Sequence, residues 1–242
     1  MTTGILLFVA AVVAGAIAAL SGFGIGSVLT PLLTASLGTK LAVAVVSIPH
    51  FIGTALRFSL IRKHVDKKVF LAFGITSAIG GLIGAMLHVW LRSAILGYIL
   101  GALLIFSGVA GITGLSEKMR FGRTAGRIAG LLSGIFGGLV GNQGGIRSAA
   151  LLGYNVSKES LVATATASAL LVDLLRMPVY AATQFREIIS SWPAVVIATF
   201  GVIAGTFAGK PLLERIPAKV YRLALSLLIF ALGIWMLLHP AG

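Results

Sequence analysis

An otherwise oily segment is broken by Gly141-Asn142-Gln143-Gly144-Gly145-Ile146-Arg147, a run of glycines, two amides and a cation. Residues 126–140 before it and 148–153 after it are almost wholly apolar or small. The break therefore belongs at depth in a membrane, where irregular backbone is tolerated only if protein buries it or it lines a wet cavity. About half the chain earlier, Gly22-Phe23-Gly24-Ile25-Gly26 interrupts a second oily segment. A pair of breaks in matching positions of two halves points to a transporter's binding site. A half-helix starting after each break would aim free N–H groups and its positive dipole end at the cavity, which suits an anion.

The rest of the chain supports a bilayer setting. Of 242 residues, 58% are hydrophobic and 10% charged, with a mean hydropathy of +1.06. These values lie far outside the range of soluble domains. Apolar runs occupy 4–20, 27–37, 41–61, 69–89, 94–113, 126–140, 147–157, 159–182, 189–209 and 219–238. Most have the length of about 20 residues that a crossing needs, whereas 27–37 and 147–157 do not and read as half-helices or re-entrant arms. The first run has no Lys or Arg ahead of it, so it lacks a signal peptide's basic region and is expected to be retained. Cysteine is absent, which removes disulfides and thiolate metal sites.

The formal charge of +13 gathers in a few short loops, as the positive-inside rule requires, so it reads as topology and anionic lipid, not nucleic acid. A shift of 119 positions lays Gly22 on Gly141, Gly26 on Gly145, Leu32-Leu33 on Leu151-Leu152, Val43-Ala44 on Val162-Ala163 and Leu56-Arg57 on Leu175-Arg176. Each half reads as a broken or re-entrant glycine-rich hairpin followed by three transmembrane helices. The expected layout is a first repeat over 1–113, a basic cytoplasmic linker over 114–125 with Glu117, Lys118 and Arg120, and a second repeat over 126–242. Basic residues favour the loop after the long helix in the first half (Arg62, Lys63, Lys67, Lys68) and the following loop in the second (Lys210, Arg215, Lys219, Arg222). The repeats are therefore expected to be inverted, with both termini periplasmic. Pro31, Pro49, Pro178 and Pro193 are expected to mark kinks or helix starts. Glycines four apart, as at 126, 130, 134 and 138, should let helices approach closely.

Arg147 is the most informative side chain, because a charge at that depth must face water, a counter-ion or a substrate. Asn142, Gln143, Gly144 and Gly145 would accompany it, opposed by Gly24, Gly26 and Ser27, with Ser21 a further hydroxyl. Ser47 aligns with Thr166 on the long helices, where Thr164 and Ser168 lie nearby, although a lone helix hydroxyl usually bonds its own backbone. His50 is a candidate for anion binding, for proton transfer or for a packed structural role. Arg57 and Arg176 occupy equivalent positions, and Asp173 stands three residues before Arg176, within reach of an ion pair. Thr54 replaces that acid in the first half, so Arg57 has no evident local partner and reads as a snorkelling or anion-route residue. The six carboxylates include only one placed at depth, Asp173, which speaks against a carboxylate-lined cation path. No HExxH, P-loop or paired-carboxylate pattern appears, and a Ser133–His50 hydrolase pair is weakly supported, so neither an enzyme nor a cofactor is expected.

At Gly22–Gly26, Pro31-Leu32-Leu33, Gly38 and Ala42–Ser47, with their echo at Gly134–Gly137, Gly141–Gly145 and Lys158–Thr166, the chain resembles the TauE/SafE sulfite exporter family. The resemblance covers nearly the whole chain. It implies outward movement of sulfite or an organosulfonate across a bacterial inner membrane. Ile25 and Ser27 in the first cluster, and Asn142-Gln143 in the second, depart from the family's usual glycine pattern and bear on which anion is taken. The resulting expectation is an all-α polytopic secondary transporter binding a small anion between two hairpin tips, with self-association left open. The alternatives are an anion channel, or a non-transporting membrane scaffold or assembly subunit.

Overall fold

The structure, a computed structural model, describes residues 2–115, 123–152, 154, 156–213 and 216–241. Glu117, Lys118 and Arg120 of the expected linker lie outside the described residues, as do Glu214 and Arg215. The described chain is helical with no strand: α1 (Thr2–Ser21), α2 (Ile25–Ile61), α3 (Lys67–Trp90), α4 (Ser93–Thr113), α5 (Arg123–Val140), α6 (Gly144–Leu152), α7 (Lys158–Ser190), α8 (Trp192–Leu213) and α9 (Ala218–Leu238). Seven of these are long and apolar enough to cross a membrane. Their outward faces carry Ile5, Leu6, Trp90, Phe200, Phe207 and Leu238, all more than half exposed. Such a surface is an aggregation hazard in water and the natural solvent-facing surface in lipid. The protein is a polytopic α-helical membrane protein.

Both glycine breaks end a helix in the same way. Gly22 (φ 75°) and Gly141 (φ 72°) adopt the left-handed conformation that closes a helix at its C-terminus. Their N–H groups return to the carbonyls of Ala18 and Gly137, each at 3.0 Å. The next helical turn starts alike in both: Val28 N–H donates to Gly24 O and Arg147 N–H to Gln143 O, again at 3.0 Å. All four pairs are related by the 119-residue shift seen in the sequence.

The expected proline kinks are placed elsewhere. Pro31, Pro49 and Pro178 sit inside helices, and the true interruptions are Gly38 in α2 (φ 73°, ψ 155°) and Gln184 in α7 (φ −136°, ψ 27°). A mid-helix proline deletes one N–H donor without forcing the chain out of the helical basin, whereas the left-handed backbone of Gly38 cannot belong to a helix. Pro193 does stand at a helix start, as expected. The segment 25–37 that precedes Gly38 is about 20 Å long and α6 about 14 Å, each short of a hydrocarbon thickness of about 30 Å. Arg186 and Glu187 lie in the last turns of α7 beyond its Gln184 bend.

Packing couples the halves. α1 lies along α8 and α5 along α3, so the opening helix of each half packs on the penultimate helix of the other; α4 packs on α9, and the long helices α2 and α7 meet centrally. Small residues make these approaches feasible. A Cβ on Gly134 or Gly138 would strike the α3 backbone at Ser77 or Gly81, and one on Gly205 would strike Val12 of α1.

Candidate site at the two glycine breaks

The breaks are in direct contact. Gly26 lies so close to the carbonyl of Gly141 that a Cβ there would collide with it, and the Phe23 ring covers Gly144. Ser27 Oγ donates to Asn142 Oδ1 at 3.4 Å. Arg147, only 1% exposed, reaches across from α6 to donate from Nη2 to the carbonyl of Gly22 at 3.0 Å. One guanidinium thereby ties the second break to the first. Its Nε and Nη1 have no partner among the described residues. Asn142 Nδ2 and Gln143 Oε1 are likewise buried and unpartnered, while the Gln143 carbonyl accepts from Ser133 Oγ at 3.3 Å. Buried donors without acceptors are uncommon, and each asks for a role.

Behind the tips, the predicted Asp173–Arg176 pair forms on α7, with Arg176 Nε donating to Asp173 Oδ1 at 2.8 Å. The other carboxylate oxygen meets His50 Nδ1 of α2 at 2.6 Å. Arg176 Nη1 caps the carbonyl of Gly137 at 2.8 Å, so every arm of this arginine is engaged. Two neighbours continue the pattern. Tyr180 O–H donates to the carbonyl of Gly138, and His88 Nδ1 meets that of Leu139 at 2.7 Å. The carbonyls of Gly138 and Leu139 at the end of α5 are thus satisfied by α7 and α3, and that of Gly137, already bonded to the N–H of Gly141, gains a second donor, which fixes the second break against its surroundings.

Arg57 is 5% exposed and donates from Nη2 to Thr54 Oγ1 at 3.0 Å, so the residue that replaces the acid serves as its partner. Its Nε and Nη1 remain unpartnered, and it lies within electrostatic reach of Arg147 and Asp173. Ser47 and Thr166 donate to their own helix backbone, at Ala44 O (2.6 Å) and Val162 O (2.8 Å), and so do Ser168 and Ser21. Thr164 accepts from the N–H of Asp66 at 3.0 Å, pinning the loop ahead of α3. Thr30 Oγ1, beside Gly141, is buried without a partner.

The whole arrangement lies inside one family match. A family model described as Sulfite exporter TauE/SafE matches residues 7–236. The chain belongs to this family. It is a multi-pass membrane transporter of the sulfite exporter class, a class of transporters and not of enzymes, whose members take a small anionic substrate in a lipid setting. Neither curated proteins nor solved structures yield a match.

Within this TauE/SafE chain, Gly26, Ser27, Asn142, Gln143, Gly144 and Arg147 gather at the meeting point of the breaks, while Gly24 turns to Ile17 of α1 and Gly145 to Ser107 of α4. His50, Asp173 and Arg176 form a second, contiguous cluster. Sequence reasoning missed Tyr180, His88, Gln184 and Thr30. A signal for them existed, since each is a polar side chain inside an apolar helix, yet nothing local shows that Tyr180 and His88 meet the end of α5, with Gln184 Nε2 3.3 Å from His88 Nε2 and Thr30 beside Gly141.

Proposed function

We propose that this protein exports sulfite or a small organosulfonate or oxyanion across a bacterial inner membrane, binding it between the two glycine breaks. The observation that carries the reading is the set of unpartnered, buried guanidinium nitrogens on Arg147, at the two facing half-helix starts, and on Arg57, one turn beyond Gly53, whose Cβ position lies 3.2 Å from Ile25 Cδ1. An anion would supply the missing acceptors. The first N–H groups of α2 and α6 and the Asn142 amide would complete its shell. Ser47 and Thr166 stand further from this role, since their protons are already given to backbone.

Alternating access by rocking of one repeat against the other fits the packing, because exchanging 1–113 with 126–242 leaves the α1–α8, α3–α5, α2–α7 and α4–α9 pairings unchanged. The matched closures at Gly22 and Gly141 support the same repeat. The loop charges support an orientation with both termini in the periplasm. An anion leaving a negative-inside cell gains about 2.3 kcal/mol per charge for each 100 mV, so export needs no coupling ion.

The test is labelled-sulfite counterflow in proteoliposomes. A carrier accumulates label only when unlabelled substrate is inside, and does so saturably. Flux without counterflow would indicate a channel, and no flux from folded protein would leave a scaffold.

A further inference from the structure

We infer that the site is built for a dianion, and that Arg57 is the residue that sets this preference. This rests on the proposal that an anion binds at the glycine breaks, and it goes on to name the charge class.

Three arginines are buried among the described residues, Arg57, Arg147 and Arg176, against one buried carboxylate, Asp173. Arginine stays protonated in proteins, so the cluster carries two uncompensated positive charges. The geometry says where they reside. Arg176 spends its donors on Asp173 and on the carbonyl of Gly137. Arg57 and Arg147 bond only neutral oxygens, Thr54 Oγ1 and Gly22 O, and each keeps two nitrogens unpartnered. A proton on His50, which faces Asp173 from α2, would enlarge the surplus. Among the described residues no other charged group reduces it: Asp66 accepts from the N–H of Val69 at the start of α3, Glu159 and Glu187 are exposed, and Lys40 is turned to the carbonyl of Val89.

Two like charges held in a medium of low polarity are costly unless a partner offsets both. A monoanion would leave one guanidinium uncompensated. A compact dianion, such as an oxyanion with two charges or a sulfonate that also bears a carboxylate, offsets both, and the Asn142 Nδ2 donor points to the same chemistry. The first break has no side-chain donor at its tip apart from Ser27, so Arg57 provides the second charge from that half.

The deciding experiment compares inhibitors of labelled-sulfite counterflow that match in shape and differ by one charge: sulfate against methanesulfonate, and sulfoacetate against sulfoacetamide. The dianion of each pair should inhibit at a concentration lower by about tenfold or more, as expected when one buried charge is otherwise left unpaired. Arg57→Gln should bring the ratio toward one while the monoanions still inhibit, and Arg57→Lys should keep the preference. Equal inhibition within both pairs in the unaltered protein would overturn the inference, as would an unchanged ratio in Arg57→Gln. So would sulfite exchange that no member of either pair inhibits. Absence of sulfite exchange altogether would instead remove the anion site on which the inference stands.

Discussion

Arg147 Nη2 donates to the carbonyl of Gly22 across 125 positions of sequence, a side-chain bond by which the second glycine break holds the backbone of the first. Removing it should act on transport and on the contact between the halves together. Arg147→Ala is expected to abolish counterflow and to destabilise the fold by about 1–3 kcal/mol, the cost of a buried acceptor left unpaired. Arg147→Lys should recover part of the stability and little of the transport, since an ammonium lacks the fork that can serve Gly22 and an anion at once. Thermal unfolding alongside flux separates the two effects.

Asp173 holds His50 on one oxygen and Arg176 on the other. Asp173→Asn leaves Arg176 buried without its counter-charge, and breaking a buried pair this way costs about 3–5 kcal/mol. Arg176→Gln additionally removes the side-chain donor to the carbonyl of Gly137, leaving it the N–H of Gly141. The double variant should cost clearly less than the two single losses combined, because each single change strands the partner. Additive losses in a double-mutant cycle would show that the pair is not coupled.

Gly134 of α5 faces the backbone of α3 at Ser77 with no room for a methyl group, whereas a Cβ on Gly4 would meet only Ile197 at 3.5 Å, an ordinary contact. Gly134→Ala should lower the unfolding temperature through forced separation of α3 and α5, and Gly4→Ala should leave it within error. An overfilled interface of this kind costs about 1–3 kcal/mol.

How much of this was legible in the sequence divides along physical lines. Both breaks, the short arms and the long helices follow from apolar run length and glycine placement, which are local. The Asp173–Arg176 pair follows from spacing on one helix. The interruption at Gly38 was hidden behind Pro31 and Pro49, because a proline is a more visible breaker than a single glycine whose φ is unknown. The caps on Gly138 and Leu139 by Tyr180 and His88 join residues more than 40 positions apart, and no local pattern encodes them.

The proposed inverted arrangement is testable with single cysteines, because the native chain has none. Lys63→Cys and Lys219→Cys should be shielded from an impermeant thiol reagent in intact cells, and Arg92→Cys and Ser190→Cys labelled. The opposite pattern would reverse the orientation. Labelling of Lys63→Cys but not Lys219→Cys would contradict inverted repeats.

With two positive charges in the empty site and none net when a dianion fills it, voltage should act on the empty carrier. An inside-negative potential favours its return toward the cytoplasm, by up to about 4.6 kcal/mol per 100 mV if both charges cross the whole field. Net sulfite export from vesicles should therefore accelerate with imposed potential, while exchange of substrate for substrate should hardly respond. Equal voltage dependence of both modes would rule out this charge balance.

The most direct measurement is a crystal structure grown with selenite, the heavier analogue of sulfite, and phased on the selenium anomalous signal. The expected result is one peak between the glycine breaks, within hydrogen-bonding distance of Arg147 and close to Asn142, that disappears in Arg147→Ala. A selenium peak elsewhere in the protein, with the space beside Arg147 empty at concentrations that saturate counterflow, would contradict the placement of the anion at the two breaks.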